Sequence, residues 1–232
     1  MINRNIFNLL EILEAFSKHQ SAHRILNKEL VKNGWYPNSI VFRHTKYTYE
    51  SIDDFMMRCL MGDYYEQIKT EYFYNSYPHR RKIYEEAFKL FEEERYLAAI
   101  PLFLSQLDGI ISENGLSGIF QGNKNLNNDP KPENLIFFEY LNYHNQSYAG
   151  KSLIKYHQNI IDHRCELSIS KGTSQISNPD EIGHLNRHGI LHGHKNYLNY
   201  GCKINTLKVI SLTLFIINTI TVMKIENTQV QE

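Results

Sequence analysis

The sequence predicts an all-α fold, and three stretches carry that expectation. Ile6, Leu9, Leu10, Leu13 and Phe16 line one face of a helix, with Glu11 and Glu14 off that face. Ile100, Phe103, Leu104, Leu107, Ile110 and Ile111 keep the same spacing over a longer run. Residues 204–223 are rich in Ile, Leu and Val and give a third helix.

The elements follow in order. Ile25, Leu26 and Leu30 extend the first helical pattern until Gly34 stops it, and 34–38 reads as a turn. Residues 47–49 are expected to be briefly extended. A helix restarts at Ser51 or Asp53, either of which can cap it, with Phe55, Leu60 and Tyr64 inward. Pro78 opens the next helix, whose stripe is Tyr84, Phe88 and Phe91. The strong helix then spans Tyr96 to Glu113, with Pro101 near its start, where proline is tolerated. Residues 122–132 and 174–180 read as loops, and 135–143 and 153–163 as helices. The tail after Glu226 is polar and expected to fray. A short joint at 76–78 divides an N-terminal helical lobe, 1–77, from a larger helical domain, 78–232, and its shortness implies that the two pack together.

Composition limits the function classes. Lys+Arg and Asp+Glu are both 25, so no whole-protein field draws the chain to nucleic acid, and any RNA surface must be local. The three cysteines, Cys59, Cys165 and Cys202, form no C-x-x-C pair, which fits a reducing, cytoplasmic setting and no thiolate zinc site. Glu11 and Glu14 break up the N-terminal apolar residues, against a signal peptide. Asn205, Lys208, Ser211 and Asn218 interrupt 204–223, so a buried core helix is expected there and no membrane span.

Chemical groups concentrate in 184–195. His184, Asn186, Arg187, His188, His192, His194 and Lys195 crowd together, with Gly189 and Gly193 between them. Arg187 and His192 make an R-x-x-x-x-H pair, a spacing that says little by itself in a chain with 11 histidines. The neighbourhood is more specific. Asn186 precedes the arginine, the polar His188 follows it, Gly193 follows the histidine, and an apolar helix begins about ten residues later. Upstream lies the apolar helix containing Asp108.

This arrangement resembles the HEPN superfamily of helical ribonucleases, over about residues 78–224. The resemblance implies a HEPN-like helical bundle and a metal-independent endoribonuclease of toxin, abortive-infection or phage-defence type. It implies tRNA or mRNA as the substrate, a homodimer whose two motifs share one cleft, an antitoxin or other regulatory partner, and no cofactor. Arg187, His192 and His188 would be catalytic, with Asn186 supporting them. Asp108, ahead of Glu113, would hold Arg187 from the facing helix. In HEPN toxins paired with a nucleotidyltransferase antitoxin, a tyrosine stands two positions after the histidine; here that position is His194.

The residue types suit this chemistry. RNA supplies its own nucleophile, the 2′-hydroxyl. An imidazole, with an ordinary pKa of about 6.5, exchanges a proton near neutrality. A guanidinium stays charged and donates two hydrogen bonds to a phosphate. Positions i and i+5 lie about 140° apart round a helix, which favours a broad cleft completed by a second chain. Two other readings stay open: Arg187 pairs with a carboxylate while His192 caps or packs, or His184, His188 and His192, spaced i, i+4 and i+8, bind a metal. Lys195 and Asn196 are placed to touch an RNA backbone. Arg80 and Arg81 follow Pro78 at a helix start, where cations oppose the helix dipole, so phosphate contact is one expected purpose.

Overall fold

The computed structural model describes residues 29–30, 33–36, 38, 40–41, 50–114 and 185–229, the last with side chains to 218 and at 220 and 221. The expectations for 6–16, 47–49, the 122–132 and 174–180 loops and the 135–143 and 153–163 helices lie outside these residues. The described residues are helical and contain no strand.

Helix α1, Ile52–Met61, is capped by Ser51, whose extended backbone lets its hydroxyl accept from Asp54 N at 3.1 Å. Asp53, the other candidate cap, instead accepts from the Trp35 indole at 2.6 Å. Helix α2, Tyr65–Gln67, runs on into a π-helical stretch, Ile68–Asn75. A 3₁₀ turn, Pro78–Arg80, leads into α3, Arg81–Glu92. Helix α4 is Tyr96–Glu113, α5 is Arg187–Leu191, and α6 is Lys203–Gln229. A 3₁₀ turn, Lys195–Tyr197, lies between α5 and α6. No Gly or Pro occurs after Lys203, so nothing terminates α6 at Glu226, and it runs three residues beyond the expected end.

Both α3 and α6 pack along α4. The α3–α4 connection is an αα-hairpin closed by a left-handed residue, Glu94 at φ 60°, with Arg95 N donating to Leu90 O at 2.8 Å and Glu94 N to Phe91 O at 3.0 Å. The expected α3 stripe, Tyr84, Phe88 and Phe91, is buried. Phe73 enters this core from the π-helical stretch and meets Tyr84 and Phe88 edge-to-face at 4.9 and 5.0 Å. Phe88 meets Phe103 in the same way at 5.1 Å. One hydrophobic core therefore spans the joint at 76–78.

The N-terminal turn is tied to α6. Gly34, at φ 74°, lets Trp35 N reach Leu30 O at 2.9 Å, the closing bond of a left-handed helix cap. Trp35 is fully buried, and Lys208 of α6 lies over its ring at 5.5 Å. Tyr36 N donates to Ser211 Oγ at 3.1 Å. Ser211 and Thr213 turn their hydroxyls onto α6 carbonyls, which satisfies polar groups inside an apolar helix. Helix α6 is thus a core helix, and no helix among the described residues is long and apolar enough to cross a membrane.

Pro101 is the sixth residue of α4, beyond the first turn, where its missing N–H leaves the Leu97 carbonyl without its helical donor. The Tyr200 hydroxyl supplies one at 2.9 Å. Gly201 lies so close that a Cβ there would stand 2.4 Å from Leu97 Cγ. The loop after the 3₁₀ turn is thereby fastened to α4 at its proline. Tyr200→Phe should cost about 0.5–1.5 kcal/mol in urea unfolding. The loss should shrink in a Pro101→Ala background, where an alanine N–H refills the carbonyl; an equal loss in both backgrounds would refute this account.

Candidate functional site

Helix α5 has five residues, too few to hold itself in water. Its ends are therefore closed by specific residues. The fully buried Asn186 is the N-cap and accepts from Gly189 N at 2.6 Å. Gly193, at φ 62°, closes the other end: His194 N donates to Gly189 O at 2.8 Å and Gly193 N to Ile190 O at 3.2 Å. Gly189 is required for a different reason. A Cβ at this position would meet the Tyr197 ring at 2.2 Å, so the ring packs directly on the α5 backbone.

The first residue of α5, Arg187, is ion-paired through Nη2 with the Asp108 carboxylate on α4. The Arg187 side chain is 14% exposed and Asp108 44%. Partial burial pulls the Arg187 pKa down, yet a guanidinium remains charged at any physiological pH. His192 is the C-cap at the other end and is exposed. Five residues rise about 7.5 Å, so the helix holds Arg187 and His192 apart as well as offset around its axis. His192 is instead next to His188. Their rings lie parallel within 7°, with centroids 5.9 Å apart. His194 caps the following 3₁₀ turn through Nδ1, which accepts from Asn196 N at 3.3 Å. Lys195 and Asn196 are exposed beside it.

The structure therefore unites Arg187 with Asp108, and His188 with His192, as two separate pairs. The features of the purely structural reading, a carboxylate on Arg187 and a capping position for His192, are both present. His184 lies outside the described residues. Among the described residues, no group of three or more His, Cys, Asp or Glu gathers to hold a metal ion.

Arg80 departs from its expected role as a phosphate contact. Its side chain is only 15% exposed, with Nη1 donating to Gln106 Oε1 at 2.7 Å and Nη2 to Glu113. It lies against Gly109, where a Cβ would stand 2.3 Å from Nη2. His79 reaches the same carboxylate at 3.1 Å. A cation at a helix start and an anion at a helix end are each unfavourable for their own dipole. Here they meet, because the hairpin brings the start of α3 beside the end of α4. The local cost thus has a structural cause. Arg81 is 55% exposed and pairs with Glu85 one turn on, at 2.7 Å.

Sequence reasoning missed the contacts that hold the loop after α5: Gly189 with Tyr197, and Leu97 with Tyr200 and Gly201. Two glycines within the cluster and a proline inside an apolar helix were the available signals. Comparison with protein-family models, curated proteins and solved structures finds no significant match in any of the three.

Two outcomes are expected. Gly189→Ala should destabilise more than Gly193→Ala, because the first displaces a ring and the second strains only backbone, by about 1–2 kcal/mol. Gly193→Asn should be milder still. Urea midpoints check the order, and a Gly189→Ala protein as stable as Gly193→Asn would disprove the ring contact. Separately, Arg80 first and then His79 hold Glu113 below the usual carboxylate pKa. Its ionisation therefore stabilises the fold above the unfolded pKa of about 4.3, and that contribution is lost as pH falls through the lowered folded value. The difference in melting temperature between wild type and Glu113→Gln should narrow between pH 6 and about pH 3; a constant difference would exclude ionisation as its source.

Proposed function

We propose that this chain is a metal-independent endoribonuclease of HEPN type. The observation that supports this most is the construction of α5. A helix too short to stand alone is pinned by Arg187–Asp108 at one end, and its other end carries the exposed His192, whose ring stacks on that of His188 one turn back. In this reading His192 takes the 2′-hydroxyl proton, and Arg187 offsets charge on the phosphate in the transition state. Asp108 orients the arginine, and Asn186 sets the start of the helix. Lys195 meets the RNA backbone. Two chains form a homodimer and complete the cleft, and the substrate is tRNA or mRNA. A toxin or phage-defence role under an antitoxin or other regulator, in the cytoplasm, follows from the HEPN resemblance.

A second reading is a non-catalytic HEPN-like module for RNA binding or dimerisation. The mostly buried, carboxylate-paired Arg187 favours it, since that posture also serves stability alone. Cleavage of RNA in excess EDTA separates the two. The enzyme should leave 2′,3′-cyclic phosphate ends, and Arg187→Ala and His192→Ala should each lower the rate by about 10²-fold or more. Variants that cut as fast as wild type would rule out these catalytic roles. RNA binding without cleavage would establish the module.

A further inference from the structure

A lysine near apolar surface ordinarily lays its stem along it and leaves the ammonium in water. Lys208, on α6, is half-buried instead. Its stem lies along the turn at Gly34, where an added Cβ would stand 3.7 Å from both Cδ and Nζ. The ammonium ends over the buried Trp35 ring, 5.5 Å from the centroid. Among the described residues it makes no hydrogen bond and no ion pair. Asp53 acts on its charge from α1, but the Asp53 carboxylate accepts from the Trp35 indole at 2.6 Å. Cys202, just before α6, is the other group whose charge bears on it. An ammonium that gives up water and gains no acceptor holds its proton less firmly. Burial accordingly pulls the Lys208 pKa down, against Asp53 and Cys202, which favour the charged form.

An amine attacks an electrophile only in its neutral form. The ring and the Gly34 turn hold the Lys208 amine in one place, and its partial exposure leaves the nitrogen within reach of a small molecule. We infer that Lys208 is a modification site, an amine that takes an acyl group from an acyl thioester. The nitrogen attacks the thioester carbonyl carbon. The nitrogen–carbon bond forms, the carbon–sulfur bond breaks with its electron pair on sulfur, and the amine proton passes to solvent. An amide and a thiolate result. The amide carries no charge, so the cation–π contact that joins the N-terminal turn to α6 is lost. The step needs neither Arg187 nor His192.

Treating the wild-type chain with a limiting amount of a small acetyl thioester at pH 7.5 tests the assignment, with peptide mass spectrometry to count the label. Lys208 should be acetylated at least about 3-fold faster than the exposed Lys195 and Lys203. Its rate should also level off at a lower pH than theirs. Labelling of Lys208 at or below their rate would overturn the proposal. Asp53→Asn keeps an acceptor for the indole and removes the anion that favours the ammonium, so it should speed the labelling of Lys208. Slower labelling in that variant would refute the part given to charge. Trp35 is the chain's single tryptophan. Its emission should change as Lys208 is acetylated and stay constant in Lys208→Met protein treated in the same way. Unchanged emission in wild type carrying the label at Lys208 would overturn the loss of the ring contact.

Discussion

The ion pair between Arg187 and Asp108 fixes where α5 sits, and the candidate site depends on that placement. A five-residue helix gains little from its own hydrogen bonds. Its direction comes from outside, through a cation at its first residue and a carboxylate on the neighbouring helix. With Asp108 nearly half exposed, solvent screens much of the attraction, so the pair adds modest stability and mainly sets orientation. Without Asp108, a mostly buried guanidinium would lose a charged partner, and the adjoining Asn186 cap would lose its fixed position.

Helix α4 serves as the common scaffold, because different faces of it receive different elements. Gln106, Gly109 and Glu113 follow one ridge and receive Arg80. Asp108, about 100° round from Gly109, receives Arg187. Leu97, freed by Pro101, receives Tyr200. Ile100, Phe103, Leu104 and Leu107 form the buried side. Two residues that look wrong for a helix, a proline in the second turn and a glutamate at the last position, are each answered by a group from another element. Local disfavour of this kind is tolerated where tertiary partners settle it.

Periodicity made the helices legible. The boundaries of α4 and the Ser51 cap follow from apolar spacing and capping chemistry, because helix formation depends on neighbours within a few positions. The partners of charged residues were less legible. Arg80 and Arg81 after Pro78 suggested a phosphate surface, and Arg80 instead faces Glu113, 33 residues away. No local rule reports that the hairpin returns the end of α4 to the start of α3. Asp108 was named for Arg187 through family resemblance, not through spacing. Gly189 and Gly193 look alike in the sequence, but one makes room for a ring and the other adopts a left-handed backbone. That distinction depends on Tyr197, which only the folded chain brings onto α5.

The two ends of α5 differ in what folding requires of them. At the Arg187 end, cap, charge and burial all contribute to stability, so those residues would be selected even in a protein with no chemistry. At the His192 end, Gly193 alone closes the helix, through backbone groups, and any side chain at 192 would permit it. Folding therefore gives no reason for an exposed histidine there, nor for a second one stacked parallel to it. Ordinary capping preference would place lysine or arginine as readily, since either complements the helix dipole. What imidazole adds is a proton that can be gained and lost near neutral pH. The two ends of α5 thus divide the work: Arg187 anchors the helix on α4, and His192 stands exposed at the end that folding leaves unconstrained.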